Sequence, residues 1–292
     1  MHQDEQVQPK TTPAGVGYNL SISRHVATIE LNSPDTNNAL SPEILGGITA
    51  DLERLGKDKA IRAILWTSNL RGIWSVGGDL NQVLQFFERE AEVQKAAQSF
   101  ALDSWLKSID NIVKLMQVMR ECPRPIVGRV QGIAYGNAVV FVALCDVSIA
   151  LASSLFSFPE VRHGFAPVTL ALASIDKLGS GPLLAWGMSG ERYSAEEARA
   201  AGVVTKVVAR MDELDGEVER YLNAFRKNSP DAMAAYKAGV NRLLGLDFHR
   251  LQALAKDGWF RLLTHGPLAD SNPLEGLRAF HSQRKPRWDV SD

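Results

Sequence analysis

The 292-residue chain has little cysteine and almost no net charge. Its two cysteines, Cys122 and Cys145, lack metal-ligand spacing and are too few for a disulfide framework, which excludes a disulfide-stapled secreted domain. The 32 Lys and Arg residues nearly balance the 33 Asp and Glu residues, which leaves a formal net charge of −1 at pH 7. This balance argues against nucleic acid or an anionic membrane surface as the main partner.

Long apolar runs are also missing. No window reaches the roughly 20 apolar residues that a membrane-spanning helix needs. The first fifteen residues are polar and lack the apolar core of a signal peptide. We therefore expect a soluble, cytoplasmic protein without a membrane or nucleic-acid partner. At 45% apolar residues, the chain can still bury a large core.

The chain does have alternating strand and helix patterns. Residues 18–32 hold two short strand patterns, Ser41-Pro42 has the form of a helix start, and residues 60–68 are typical of a buried strand. Because the β-β-α-β pattern repeats, we expect an α/β fold. After about residue 208 only amphipathic helices are predicted. We divide the chain into a disordered lead-in (1–17), a core (18–208) and a helical C-terminal oligomerisation region (209–292).

One stretch has the form of an anion site. Residues 132–146, GIAYGNAVVFVALCD, begin as a glycine turn and continue as an apolar helix. A helix that starts in this way aims free backbone N–H groups at whatever lies in front of it, which suits a negative oxygen. The helix carries no acid, base or nucleophile before Asp146. Any acid at such a site must come from elsewhere in the chain.

Six segments in order resemble the crotonase superfamily, the enoyl-CoA hydratase/isomerase family, over residues 18–288. They are NSPDTNNALSPE, SVGGDL, VQGIAYGNA, FPEVRHGFAP, SGERYSAEEARAAGVVTKVV and EGLRAFHSQRKPRW. The resemblance implies a crotonase-type spiral of β-β-α units whose helical C-terminal region packs subunits into a homotrimer or a dimer of trimers. It also implies an acyl-CoA thioester as substrate, with CoA as part of that substrate, no separate cofactor and no metal. A thioester on a carrier protein is the alternative.

The resemblance also assigns chemistry to particular residues. The backbone N–H groups of Gly78 and Asn137 would form an oxyanion hole for the thioester oxygen, although the family usually has glycine in place of Asn137. Family hydratases hold water between two glutamates. Here the first position is Val140 and the second is Glu160. One carboxylate is enough to move a proton between two carbons, so we expect double-bond isomerisation or a related proton transfer.

Two alternatives stay open. His163, three residues beyond Glu160, could act as a second catalytic group and favour hydration, decarboxylation or C–C hydrolysis. Val140 and Asn137 would also fit a family member that binds acyl-CoA without turning it over. The retained Glu160 and the intact glycine turn argue against this last alternative.

Further residues are expected to contact substrate or CoA. Asp79 is also expected to cap or brace its loop, and the basic C-terminal end could meet CoA phosphates. The long segment after Asp79 is rich in aromatic residues and is expected to line a pocket for a long or bulky acyl group. The predicted substrate or CoA contacts are Thr36, Asn37, Asn38, Gly77, Asp79, Leu80, Val140 and Lys285.

Overall fold

A computed structural model describes residues 17–97, 102–243 and 272–284. Its larger sheet contains β1 (Tyr18–Ser23), β2 (Val26–Leu31), β3 (Ala63–Ser68), β5 (Ile126–Val130), β7 (Val147–Leu151) and β10 (Lys206–Val208), adjacent in that order. The β1–β2 pair is antiparallel and the other pairs are parallel. The smaller sheet contains β4 (Gly72–Ser75), β6 (Gly132–Tyr135), β8 (Leu155–Ser157) and β9 (Tyr193–Ser194).

Helices cover and separate the two sheets. They are α1 (Pro42–Lys57), α2 (Leu80–Ala97), α3 (Leu102–Glu121), α4 (Asn137–Leu144), α5 (Val168–Leu178), α6 (Ser180–Ser189), α7 (Ala195–Ala200), α8 (Met211–Lys227), α9 (Pro230–Leu243) and α10 (Asn272–His281). The predicted α/β class is confirmed. The predicted start of α1 is also confirmed, because the Ser41 hydroxyl accepts a hydrogen bond from the Ile44 amide at 3.3 Å. The expected lead-in, apart from Gly17, and residues 244–271 of the predicted helical C-terminal region lie outside the described residues.

The main core lies around α4, which is buried on all sides. Its residues from Ala138 to Leu144 are almost completely shielded from solvent. The Trp66 ring lies between those of Trp74 and Phe141, at centroid distances of 5.4 and 5.5 Å. A helix that is apolar all round has to sit inside the protein. This burial fixes the position of the α4 N-terminus.

The smaller sheet brings three loops to one edge. Strands β4, β6 and β8 are parallel neighbours, so the loops that follow them leave from the same side of the sheet. These loops carry Gly77–Gly78, Gly136–Asn137 and Pro159–Glu160. Residues far apart in sequence therefore meet at the carboxyl ends of the strands. Within the described part of the chain, no helix has the length and apolarity needed to cross a bilayer.

Candidate active site

A cavity of about 790 Å³ opens at this edge of the smaller sheet. Gly78, Asn137 and Glu160 all line it. Most of the remaining wall is apolar and comes from α1, α2, α3, α5 and the loops next to them: Leu40, Leu45, Leu80, Val83, Phe86, Ile109, Ile112, Phe165 and Leu170. Such a wall suits a hydrocarbon chain. Polar side chains also line the cavity: Glu43, Asp79, Gln82, Gln85, Arg89 and Thr169.

Gly77 allows two loops to approach closely beside the cavity. Its φ of +86° is in the region that favours glycine. A Cβ at this position would lie 2.5 Å from the carbonyl oxygen of Tyr135 and 3.5 Å from the amide nitrogen of Asn137. The Gly77 carbonyl accepts a hydrogen bond from the Leu40 amide at 2.7 Å, which anchors the loop to the start of α1. The next residue, Gly78, is therefore held against the α4 N-terminus.

The amides of Gly78 and Asn137 are available to a ligand. Asn137 is the first residue of α4, where an N–H has no partner within the helix. No hydrogen bond within residues 17–97, 102–243 and 272–284 uses either N–H. The positive end of α4 adds to the field at this point. Both residues line one cavity, and two N–H groups placed in this way could bind a negatively charged oxygen.

Glu160 lies beside these amides, on a 3-10 turn spanning Pro159–His163. Its Oε1 would be 2.5 Å from a Cβ placed on Gly136, whose φ is +54°. Glycine is therefore needed at 136 to make room for the carboxyl group. Oε2 is shielded from solvent and has no hydrogen-bond partner among the described residues, although Glu160 as a whole is only half-buried. Arg162 pairs with Glu191 at 2.5 Å instead of with Glu160.

Burial raises the pKa of Glu160 from 4.5 to about 7, and a backbone hydrogen bond opposes this rise only in part. A carboxyl group with such a pKa is present in both protonation states near neutral pH. It can therefore take a proton and give it back without a large energetic cost for either step. The arrangement combines a proton carrier with two donors for negative charge.

Val140 supplies no second acid to this arrangement. Its side chain is fully buried in the core around α4 and is not among the side chains that line the cavity. The predicted contact between Val140 and substrate therefore finds no support, because the first turn of α4 places this residue in the core. At the position where family hydratases carry their first glutamate, this protein has a buried valine side chain.

His163 lies on the turn that carries Glu160 but faces another neighbour. Its ring packs edge-on against Phe280 at a centroid distance of 5.2 Å, and it does not line the cavity. Helix α10 packs so tightly on the turn that a Cβ on Gly276 would overlap the His163 backbone. Burial lowers the pKa of His163, and the charge on Arg162 lowers it further. His163 is not part of the cavity wall that Gly78, Asn137 and Glu160 share, so its predicted catalytic role finds no support.

The residues predicted to contact CoA fall into separate groups. Asn38 is 1% exposed: its Nδ2 donates to the Ser68 hydroxyl at 2.8 Å and to the Trp74 carbonyl at 3.1 Å. These contacts brace the loop and engage the side-chain N–H groups of Asn38. The CoA contact predicted for this residue therefore finds no support. Asp79 both lines the cavity and caps α2 by accepting hydrogen bonds from the Asn81 and Gln82 amides.

The remaining predicted contacts are divided between the cavity and the surrounding loops. Leu80 lines the cavity, whereas Gly77 is buried behind it. Thr36 hydrogen-bonds Ser33, and Asn37 is exposed. None of these three loop residues is part of the cavity wall. Lys285 lies outside the described residues.

Sequence reasoning missed several residues of the cavity wall. Val83 on α2 is one, although its signal was present because Leu80, Val83 and Phe86 recur every three residues. Gly136 does not line the wall and was missed as well, because its role depends on the Glu160 carboxyl group that lies against it. Phe86 confirms that the aromatic segment after Asp79 contributes to the wall, whereas Phe87 packs edge-on against Phe165.

The fold and the sequence both match one known protein family. Residues 21–291 match the family model described as Enoyl-CoA hydratase/isomerase. The chain therefore belongs to the enoyl-CoA hydratase/isomerase family, within the crotonase superfamily.

Relatives in this family carry names for different reactions. The chain is 25% identical to the trans-2-decenoyl-[acyl-carrier-protein] isomerase of Streptococcus mutans, covering 92% of this chain and 96% of that protein. It is 26% identical to the mevalonyl-coenzyme A hydratase sidH of Aspergillus fumigatus, covering 90% and 91%. Its fold matches a crystal structure of enoyl-CoA hydratase from Bacillus halodurans with a TM-score of 0.77, at 18% identity, over 90% and 99% of the two chains.

Proposed function

We propose that this protein catalyses double-bond isomerisation, or a closely related proton transfer, on an acyl thioester. Glu160 would be the single proton carrier, and the backbone N–H groups of Gly78 and Asn137 would hold the thioester oxygen. The observation that carries the proposal is the position of the Glu160 carboxyl group, directly over Gly136 and facing the same cavity as both amides.

The reaction would proceed through an enolate. The ionised Glu160 removes a proton from the carbon next to the thioester carbonyl. The electron pair of that C–H bond forms a carbon–carbon double bond, and the carbonyl oxygen takes the negative charge. Protonated Glu160 then returns the proton to the carbon at the far end of the conjugated system, which shifts the double bond. A pKa near 7 suits both steps.

Hydration has less support at this site. Adding water requires a group that orients and deprotonates the water, in addition to the group that protonates carbon. Val140 is apolar and buried where a hydratase keeps that second group. His163 packs against Phe280 instead. These two placements favour isomerisation over hydration, decarboxylation or C–C hydrolysis.

The acyl group would extend along the apolar wall formed by α2, α3 and α5. A volume of about 790 Å³ favours a medium or long acyl chain over an acetyl-sized one. The thioester could be carried by CoA or by the pantetheine of a carrier protein; the carrier alternative is favoured by the name of the Streptococcus relative. We keep CoA as the first expectation, and a cytoplasmic location remains a prediction.

The test is to identify the product. The protein is incubated with 2-enoyl, 3-enoyl and 3-hydroxyacyl thioesters of increasing chain length, each on CoA and on a carrier protein. Products are separated by chromatography and weighed by mass spectrometry. A 3-enoyl group that becomes a 2-enoyl group of unchanged mass supports the proposal. A gain or loss of water as the main reaction would replace isomerisation with hydration.

We also propose that copies of the chain assemble as a homotrimer or a dimer of trimers. Leu184 and Met188, one turn apart on α6, are 58% and 69% exposed, and Val168 and Ile175 on α5 add to the exposed apolar surface. Exposed apolar residues of this kind suit a contact between copies. Analytical ultracentrifugation should give three or six chains for the wild type and smaller species for a Leu184→Glu/Met188→Glu variant; an unchanged assembly would exclude this face.

A further inference from the structure

Asn137 has a side chain where the family usually has none, and that side chain faces the site. Asn137 lines the cavity together with Gly78 and Glu160. Its Nδ2 atom lies 4.0 Å from the point where a Cβ on Gly78 would stand. The side-chain amide of Asn137 therefore lies close to Gly78, whose backbone N–H is one of the two proposed donors.

The Asn137 amide has no structural task that would explain its presence. In the described part of the chain, no hydrogen bond engages its Nδ2 or Oδ1. Asn38 shows the contrast: its side chain accepts a hydrogen bond from the Ser33 amide at 2.7 Å and donates two others. A polar group with no partner in a largely apolar cavity loses free energy when substrate expels the water, unless the substrate supplies that partner.

The absence of charge on the Asn137 side chain matters as well. An enolate oxygen needs donors, and a neutral amide supplies an N–H without forming an ion pair with the nearby carboxyl group. A lysine at the same place would pair with Glu160 and lower its pKa. An amide leaves the pKa of Glu160 near 7, where burial has placed it. The amide can thus donate a hydrogen bond to the thioester oxygen while Glu160 takes the proton from the α carbon.

We propose that the Asn137 side chain is a third donor of the oxyanion hole, with Nδ2 donating a hydrogen bond to the enolate oxygen. Glu160 takes the proton from the α carbon, the electron pair moves to the thioester oxygen, and three N–H groups share the resulting charge. The inference deepens the proposed function and rests on it. It adds a catalytic side chain to an oxyanion hole that otherwise consists of backbone alone.

Asn137→Ala and Asn137→Gly test this role, because both keep the backbone N–H and remove only the amide. A donor that acts on developing charge contributes mainly in the transition state, so kcat for α-proton exchange should fall about 100-fold with little change in KM. Asn137→Asp should be slower still, because its carboxylate repels the enolate. Asn81→Ala, an exposed asparagine on α2 outside the cavity wall, is the matched control and should behave as the wild type.

A second measurement does not depend on turnover. A 3-oxoacyl-CoA forms a stable enolate with its own near-ultraviolet absorbance, which can be titrated on the protein. Loss of a donor should raise the apparent pKa of the bound ligand in Asn137→Ala, with a smaller enolate fraction at a given pH. An unchanged ligand pKa together with an unchanged kcat would overturn the proposal. A change confined to KM would overturn it too, because it would show that the side chain only shapes the pocket.

Different results would exclude the proposed function and the third donor. If Glu160→Gln retains full α-proton exchange, the proposed function is excluded, whatever the exchange rates of the Asn137 variants. If Glu160→Gln loses exchange and Asn137→Ala keeps it, only the third donor is excluded. A wild-type protein that neither exchanges a proton nor forms the enolate would overturn both.

Discussion

Replacing the Glu160 carboxyl group should stabilise the protein, but only at pH values at which this group is ionised in the unfolded chain. Burial raises the pKa of Glu160 from 4.5 to about 7. Below about pH 4.5 the carboxyl is protonated in both folded and unfolded chains and carries no penalty. As pH rises from 4.5 to 7, the unfolded chain loses its proton first, so the free energy of unfolding decreases. Above about pH 7 the full penalty is present.

The magnitude follows from the difference between the two pKa values. At about 1.4 kcal/mol for each pH unit, the ionised Glu160 costs roughly 3 kcal/mol of stability at high pH. Glu160→Gln keeps the shape and removes the ionisation. The stability advantage of the variant over the wild type should therefore grow by about 2 kcal/mol from roughly pH 5.5 to pH 8.5.

Urea unfolding of both proteins at matched concentration and several pH values measures this difference. Glu121→Gln, an exposed glutamate on α3, is the control and should show no comparable trend. A Glu160→Gln variant whose advantage does not grow with pH would refute the argument. So would a variant that is less stable than the wild type at high pH.

Three further predictions concern the site and its support. The kcat/KM of α-proton exchange should rise with pH to about 7 and then level off, because only ionised Glu160 accepts a proton; a flat profile would exclude it as the base. Gly136→Ala should push Glu160 away and slow exchange about 100-fold, whereas Gly216→Ala, with open space around it, should leave the rate unchanged. Asp176→Asn should cost about 3 kcal/mol in urea unfolding, because it removes the negative charge that pairs with the buried Arg120 guanidinium. A loss below about 1 kcal/mol would show that this ion pair is dispensable.

Much of the fold could be predicted because its signals are local. The N-cap at Ser41, the apolar run of α4 and the glycines at 77 and 136 all lie within short stretches of sequence. The motif order placed Gly78, Asn137 and Glu160 in one family site, and the structure sets them around one cavity.

What could not be predicted depends on contacts between distant segments. His163 faces away from the cavity because α10, more than a hundred residues later, packs on its turn. The side-chain amide of Asn38 donates to Ser68 and Trp74, which lie 30 and 36 residues further along the chain. The raised pKa of Glu160 likewise needs the walls that bury it, because the sequence shows a carboxylate beside an arginine. Such effects follow from packing and from the partners that packing brings within reach.

The central claim is that Glu160 alone carries the proton, and isotope exchange tests it most directly. Wild type, Glu160→Gln and the Glu121→Gln control are incubated in D₂O with the thioester that the wild type converts fastest, and α-carbon deuterium is followed by mass spectrometry. The account predicts rapid incorporation by the wild type and the control, and a loss of at least about 1000-fold in Glu160→Gln. Incorporation by Glu160→Gln at the wild-type rate would contradict it.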